Sequence, residues 1–158
     1  MTTPPSPFPH GQVYLDDLHL GYRFVTRSYQ VTAAAITGFA REFDPQPFHL
    51  DPAAAQASVF QGLVASGWHT ASISMRLLVE NGPPFAGGLI GVTAELTWPR
   101  PTRPGDILQV HGEVVEVTPS RSRPDRGTVT IRTETRNQRN EVVQTFVGKL
   151  VVPRRVKT

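Results

Sequence analysis

Asp44 and His49 stand five positions apart in the stretch FDPQPFHLD, residues 43–51. A carboxylate and an imidazole held close together can move protons to and from one water, since both titrate in a useful range and both are tuned by burial. Pro45 and Pro47 flank Gln46 and limit how far the backbone between the pair can wander. Two readings follow. The stretch is a turn that folds well, or it is a site that holds an acid–base pair still. Asp51 already has a structural task, because it precedes Pro52 as a good helix N-cap.

Gly67 is the next candidate. It opens a long helical segment, where backbone N–H groups lack intrahelical acceptors and the helix dipole is positive. A glycine there leaves room for a developing oxyanion, and a tight start to a buried helix would also use one. The remaining polar residues carry less. His69 reads as a satisfied core histidine, and His10, His19 and His111 show no partner signal. A metal set of His49, Asp51 and His69 lacks recognisable ligand spacing, so no metal is expected. Ser72 and Ser74 have neither a visible base nor a nucleophile elbow, which argues against a serine hydrolase. Cysteine is absent, which excludes a disulfide framework, a thiolate nucleophile and a cysteine-based metal site.

The elements that must position these residues can be read from period and punctuation. A chain of 158 residues suits one domain with a real core. The proline-rich start, MTTPPSPFPHG, suggests a flexible tail over residues 1–12 and a folded domain over 13–158. It lacks the basic and apolar regions of a signal peptide, and no apolar run reaches the ~18–20 residues of a membrane helix. A cytoplasmic location without membrane contact is the expectation. The formal charge is +3 and the sequence pI about 9.8. Arg121, Arg123, Arg126, Arg154, Arg155 and Lys157 supply much of the excess. They fall in turns and at the C-terminal end with few aromatics, unlike a nucleic-acid face, and read as solvated surface or as attraction for an anionic small molecule.

Residues 21–31, GYRFVTRSYQV, read as a strand. VTAAAITGFAREF follows as a short helix capped by Thr32, with Ile36, Phe39 and Ala40 on one face. LDPAAAQAS restarts a helix after the proline-rich loop. SGWHTASISMRLLVENG, 66–82, is the longest helical signal, with Trp68, Ala71, Met75, Leu78 and Val79 on one stripe and Ile73 and Leu77 outside it. Apolar residues on more than one side predict a largely buried helix. From Gly87 the period changes to two. GLIGVTAELTW, DILQVHGEVVEVT, GTVTIRTETR and EVVQTFVGKLVV read as four strands, joined by PRPTRPG, PSRSRPDR and NQRN. Three hairpin-like connections predict an antiparallel sheet. One long apolar helix then needs a curved sheet to wrap it, an α+β hot-dog arrangement in a single domain.

Asp44-Pro45-Gln46-Pro47-Phe48-His49-Leu50-Asp51 resembles the hydratase motif of MaoC-like dehydratases, a family that includes the (R)-specific enoyl-CoA hydratases. LVASGWHTA and WPRPTRPGD resemble later segments of that family, so the likeness runs from about Gly21 to Val152. The chain departs from the pattern at Phe43 and Gln46, where many members have Gly and Asn. Some members also have a serine in the long helix near the substrate; ungapped counting puts Met75 there, with Ser72 and Ser74 close by.

The resemblance implies addition of water to a trans-2-enoyl-CoA to give an (R)-3-hydroxyacyl-CoA, with syn geometry, or the reverse dehydration. It assigns the attacking water to Asp44 and His49 and the oxyanion contact to the helix start at Gly67. Substrate contacts are expected from Phe48, Ser66, Trp68, Ser72 and Met75. Arg100 and Arg103, in the turn after Trp98, are candidates for the coenzyme A phosphates beside their reading as solvated turn residues. No cofactor is expected beyond the coenzyme A of the substrate. A single copy leaves one face and edge of the sheet uncovered, which predicts a homodimer or higher homo-oligomer. The alternatives are a hot-dog acyl-CoA thioesterase and a non-catalytic acyl-thioester binding module.

Overall fold

The computed structural model describes residues 11–156. The tail expected over residues 1–12 lies outside them except for its last two positions, as does Lys157. A turn of 3-10 helix at Leu15–Asp17 precedes β1, Arg23–Gln30. Four helices follow: α1, Ala33–Phe43; α2, Pro47–Leu50; α3, Pro52–Gln56; and α4, Gly67–Asn81. The chain ends in β2, Ile90–Thr97; β3, Ile107–Pro119; β4, Arg126–Arg136; and β5, Val142–Pro153.

The five strands form one antiparallel sheet in the order β1-β3-β4-β5-β2. β3–β4 and β4–β5 are neighbours joined by hairpin turns, as the sequence suggests. The connection PRPTRPG is different. It carries the chain from β2 at one edge across to β3, beside the opposite edge strand β1. Turn residues report that a strand has ended, not which strand it pairs with next, so this crossing is invisible in the sequence.

Alternation sorts the sheet into two faces. Leu108, Val110 and Val114 of β3, Val129 and Ile131 of β4, and Leu150 and Val152 of β5 are buried. One cluster packs Leu108, Val110 and Val143 against Ile73 and Leu77 of α4 and Ile36 of α1. A second packs Val114, Val129, Ile131, Leu150 and Val152 under Val13, Leu15, Leu18 and Phe85. Burial of an aliphatic side chain of this kind is worth at most ~1.5–3 kcal/mol, so the first cluster fixes α4 on the inner face through Ile73 and Leu77, while the second closes the other end of the sheet. This is the hot-dog arrangement, with the long helix on the inner side of a curved antiparallel sheet.

α4 turns a different face to the sheet from the one its apolar stripe suggests. His69, Thr70, Ile73, Ser74 and Leu77 are buried, whereas Trp68, Met75 and Val79 are 58%, 44% and 66% exposed. Serine and threonine can face inward because they satisfy one another. The Ser74 hydroxyl donates to the Thr70 carbonyl at 2.8 Å and lies 2.7 Å from the Thr135 hydroxyl, while the Thr70 hydroxyl donates to that of Thr102 at 2.9 Å. His69 is buried, but its Nδ1 has no hydrogen-bond partner among the described residues, so it is not the satisfied histidine expected; its ring stacks on Phe39 at 4.8 Å.

The basic C-terminal segment is largely neutralised within the fold. Arg154 donates twice to Asp16, at 3.0 and 2.8 Å, and Arg155 pairs with Asp17 at 2.8 Å while lying over the Tyr14 ring. Arg126 is paired with Asp125.

Candidate active site

Asp44 ends α1 as its C-cap, its own N–H bonded to the Ala40 carbonyl at 3.0 Å. Three residues later Pro47 occupies the first turn of α2, where a missing N–H costs nothing and a fixed φ favours the helix. This four-residue helix, rather than an extended loop, sets the separation of the pair. It turns His49 back toward Asp44, leaving Nε2 3.3 Å from Oδ2. The His49 side chain is 6% exposed and that of Asp44 17%.

His49 is held from behind. Its Nδ1 lies 2.7 Å from the Val64 carbonyl. A carbonyl only accepts, so Nδ1 carries a proton and Nε2 is the nitrogen turned toward Asp44. The Val64 N–H reaches back to the Phe48 carbonyl at 3.4 Å, and the Phe48 ring packs edge-on against the imidazole at 4.6 Å. α2 and residue 64 are thus tied together on both sides of the histidine.

Asp44 is held from two other directions. Gln46 donates its amide to Oδ1 at 2.7 Å. Ser66, the buried N-cap of α4, hydrogen-bonds the same carboxylate with its hydroxyl. Partial burial pushes the Asp44 carboxyl up, but Ser66, Gln46 and the neighbouring His49 outweigh it and hold the pKa below the usual carboxylate value. Asp44 is therefore an ionised acceptor at neutral pH.

Ser66 links this pair to the start of α4. Its hydroxyl oxygen accepts from the Trp68 N–H at 3.2 Å, and its carbonyl accepts from His69 and Thr70 at 3.0 and 3.1 Å. The Gly67 N–H has no acceptor among the described residues. Asp44, His49, Ser66 and the Gly67 amide therefore belong to one site, built by the C-terminus of α1, by α2 and by the N-terminus of α4. Asp51 is absorbed as the N-cap of α3, accepting from the Ala53 N–H at 3.0 Å.

The other candidates are distributed around this centre. Phe48 lines it beside His49. Trp68 is exposed and meets Trp98 edge-to-face at 5.4 Å. Ser72 donates to the Trp68 carbonyl at 2.7 Å on the exposed side of α4. Met75 lies about two turns along α4 from Gly67, in the wall of an apolar cavity of about 310 Å³ that also takes in Leu78, Phe85, Val92, Thr133 and Phe146. The lining of that cavity does not reach Asp44, His49 or Gly67. Arg100 is exposed. Arg103 donates to the Phe60 carbonyl at 2.7 Å and packs over Gly62, so its guanidinium already holds the loop that carries Val64. No group of three or more histidine, aspartate or glutamate side chains among the described residues could hold a metal ion, and no helix there is long and apolar enough to cross a membrane.

Three features of this site lie outside what sequence patterns reveal. The Val64 carbonyl and the Ser66 hydroxyl are 15 and 22 residues away from their partners, and nothing in their residue types announces a pairing. Trp98 is the third. Its indole fills the space beside Gly67, so that a Cβ there would come within 2.7 Å of the ring.

Residues 19–137 match the MaoC like domain family model. A solved MaoC-like dehydratase from Rhodospirillum rubrum is 58% identical, with a TM-score of 0.89 over 92% of this chain and 99% of that one. An uncharacterized Bacillus subtilis protein, YdeM, is 37% identical over 87% of this chain and 96% of its own length. A 3-hydroxybutyryl-CoA dehydratase of Methylorubrum extorquens is 30% identical over 70% of this chain and 69% of its own length. With a family model spanning three quarters of the chain and the hot-dog fold beneath it, the protein belongs to the MaoC-like domain family.

Proposed function

We propose that this protein is a hydro-lyase that adds water to a trans-2-enoyl-CoA, giving an (R)-3-hydroxyacyl-CoA, or removes it in the reverse direction. The observation that carries the reading is the Asp44–His49 pair at 3.3 Å, with the imidazole tautomer fixed by the Val64 carbonyl. A carboxylate and an imidazole lone pair are both acceptors. A water beside the pair, within reach of both atoms, would donate one proton to each and turn its own lone pairs outward, toward the β-carbon of a bound enoyl thioester.

The steps are then a conjugate addition. The water oxygen bonds to the β-carbon as one proton passes to His49 Nε2, and the imidazolium formed is stabilised by the adjacent Asp44 carboxylate. The double-bond electrons move toward the thioester, whose oxygen gathers negative charge. The Gly67 N–H, unpartnered among the described residues at the positive end of α4, would receive it. The α-carbon takes up a proton from the pair, which restores both groups. The (R) hand and syn geometry follow from family likeness, and so does coenzyme A as the thiol of the substrate.

The acyl chain would run along α4 toward the cavity at Met75 and Leu78, eight residues or ~12 Å from Gly67 at 1.5 Å per residue. The name borne by the Methylorubrum relative makes a four-carbon enoyl thioester the natural first probe. A homodimer is part of the proposal, since β2 is an edge strand exposed along nearly its whole length. The test is incubation of the pure protein with crotonyl-CoA. Loss of enoyl absorbance with formation of the (R) product supports the reading; release of free thiol without loss of the double bond would favour a thioesterase instead.

A further inference from the structure

Gly67 sits inside a helix with no left-handed torsion, so its backbone does not demand glycine. Its surroundings do. A Cβ at 67 would lie 2.7, 2.8 and 3.0 Å from Cε2, Cδ2 and Cζ2 of Trp98, distances at which something must move. The indole is not free to do so. Its Nε1 donates to the Gln144 side-chain oxygen at 3.0 Å, and Gln144 is buried in β5 at 2% exposure. The Trp68 ring packs against its edge. The same loop is fastened again four residues on, where the Thr102 carbonyl accepts from the Ala65 N–H at 2.9 Å and the Thr102 hydroxyl accepts from Thr70.

We propose that Trp98, anchored by Gln144, is a positioning residue for the Gly67 amide. The indole takes the volume that a side chain at 67 would need. It fixes the first residue of α4 against the sheet, so that the N–H keeps one distance from the thioester oxygen as charge develops there. Trp98 touches the backbone of Gly67 and acts through it. A misplacement of ~1 Å at such a donor can lower a rate by about 100-fold, so a rigid aromatic wall tied to a buried side chain is a sensible way to hold it. This inference rests on the reading of the Gly67 N–H as the oxyanion donor.

The test is a double-mutant cycle of Gly67→Ala and Trp98→Ala, with kcat and KM for crotonyl-CoA and the Kd of the saturated butyryl-CoA measured in each protein. Gly67→Ala is expected to lower kcat about 100-fold, the size typical of a lost oxyanion donor, with KM and Kd within about threefold of wild type. The double variant should fall within about threefold of Trp98→Ala alone, because the added methyl then has room. Losses that multiply in the double variant overturn the inference and leave hydration standing. Absence of turnover in a wild type that binds butyryl-CoA overturns hydration and this inference with it. Should Trp98→Ala fail to bind butyryl-CoA, Trp98→Phe and Gln144→Leu decide, since each removes the anchor but keeps a folded wall. Matching losses in kcat at constant KM support the anchor, and full activity in both overturns it.

Discussion

His49 is fixed at both ring nitrogens: Nδ1 donates to the Val64 carbonyl at 2.7 Å, and Nε2 faces the Asp44 carboxylate at 3.3 Å. The first contact settles which nitrogen bears the proton, and the second gives the other nitrogen its task. Neither contact alone makes an acid–base site. Together they hold one ring nitrogen and one carboxylate oxygen side by side.

The acid limb of activity should belong to Asp44. Its pKa is depressed in the folded protein, so the native state binds fewer protons than the unfolded chain near pH ~4, the ordinary carboxylate value. The stability this contributes is complete above that value and is lost as pH falls through the lower, native one. Activity that needs the carboxylate shares the native limb. Gln46→Leu removes the amide donor at 2.7 Å and should move the limb to higher pH, as read from kcat against pH. A limb that stays in place would mean that Gln46 does not tune Asp44.

His69 should behave in the opposite sense. Burial lowers its pKa, so the unfolded chain takes up a proton first as pH falls. Stability is complete above the ordinary histidine value of about 6.5 and declines as pH drops through it toward the lower native value. His69→Phe keeps the stack on Phe39 and removes the unpartnered Nδ1. A buried unsatisfied group costs ~1–3 kcal/mol, so the variant should melt a few degrees higher, with the larger gain at pH 5 than at pH 8. Equal melting curves at both values would show that Nδ1 is satisfied in solution.

The two arginines after Trp98 should separate. Arg100→Ala is expected to raise KM for a coenzyme A thioester several-fold with kcat unchanged, and to leave KM for a pantetheine thioester alone. Arg103→Ala should also lower thermal stability, by about 1 kcal/mol, because the Phe60 carbonyl loses its donor. Kinetics and melting of the two variants side by side decide between a phosphate contact and a structural staple.

An exposed apolar stripe on α4, of Trp68, Met75 and Val79, and exposed Ile90 and Val92 on the edge strand β2 make association of two copies the expected state in solution. Light scattering should give twice the chain mass. Val92→Lys should shift it toward monomer, since a charge on an edge strand blocks pairing. A wild-type monomer at micromolar concentration would contradict the expectation.

Much of this was legible in the sequence, for reasons that can be named. Thr32 and Asp51 cap helices as their types predict, and period-two runs became strands because one face of the sheet is buried and the other polar. Asp44 and His49 could be paired on paper because both lie within one short stretch. What was hidden depends on tertiary contacts. α2 is too short to show a period, although Pro47 at its start is a signal. α4 buries Thr70 and Ser74 in preference to Met75 and Val79, because hydroxyls that bond one another bury cheaply. Ser66 was expected as a substrate contact, but its pairing with Asp44 was not, and Val64 and Trp98 reach the site from distant positions that no spacing rule links to it.

The most direct measurement follows the enoyl absorbance of crotonyl-CoA with wild type, Asp44→Asn and His49→Ala in parallel, each checked for folding by its melting curve. General acid–base groups contribute typically 10²–10⁴-fold. The account predicts that wild type consumes the enoyl signal and that each variant, though folded, loses at least ~100-fold in kcat. A wild type that leaves the signal unchanged, or variants that turn over as fast as wild type, would contradict it.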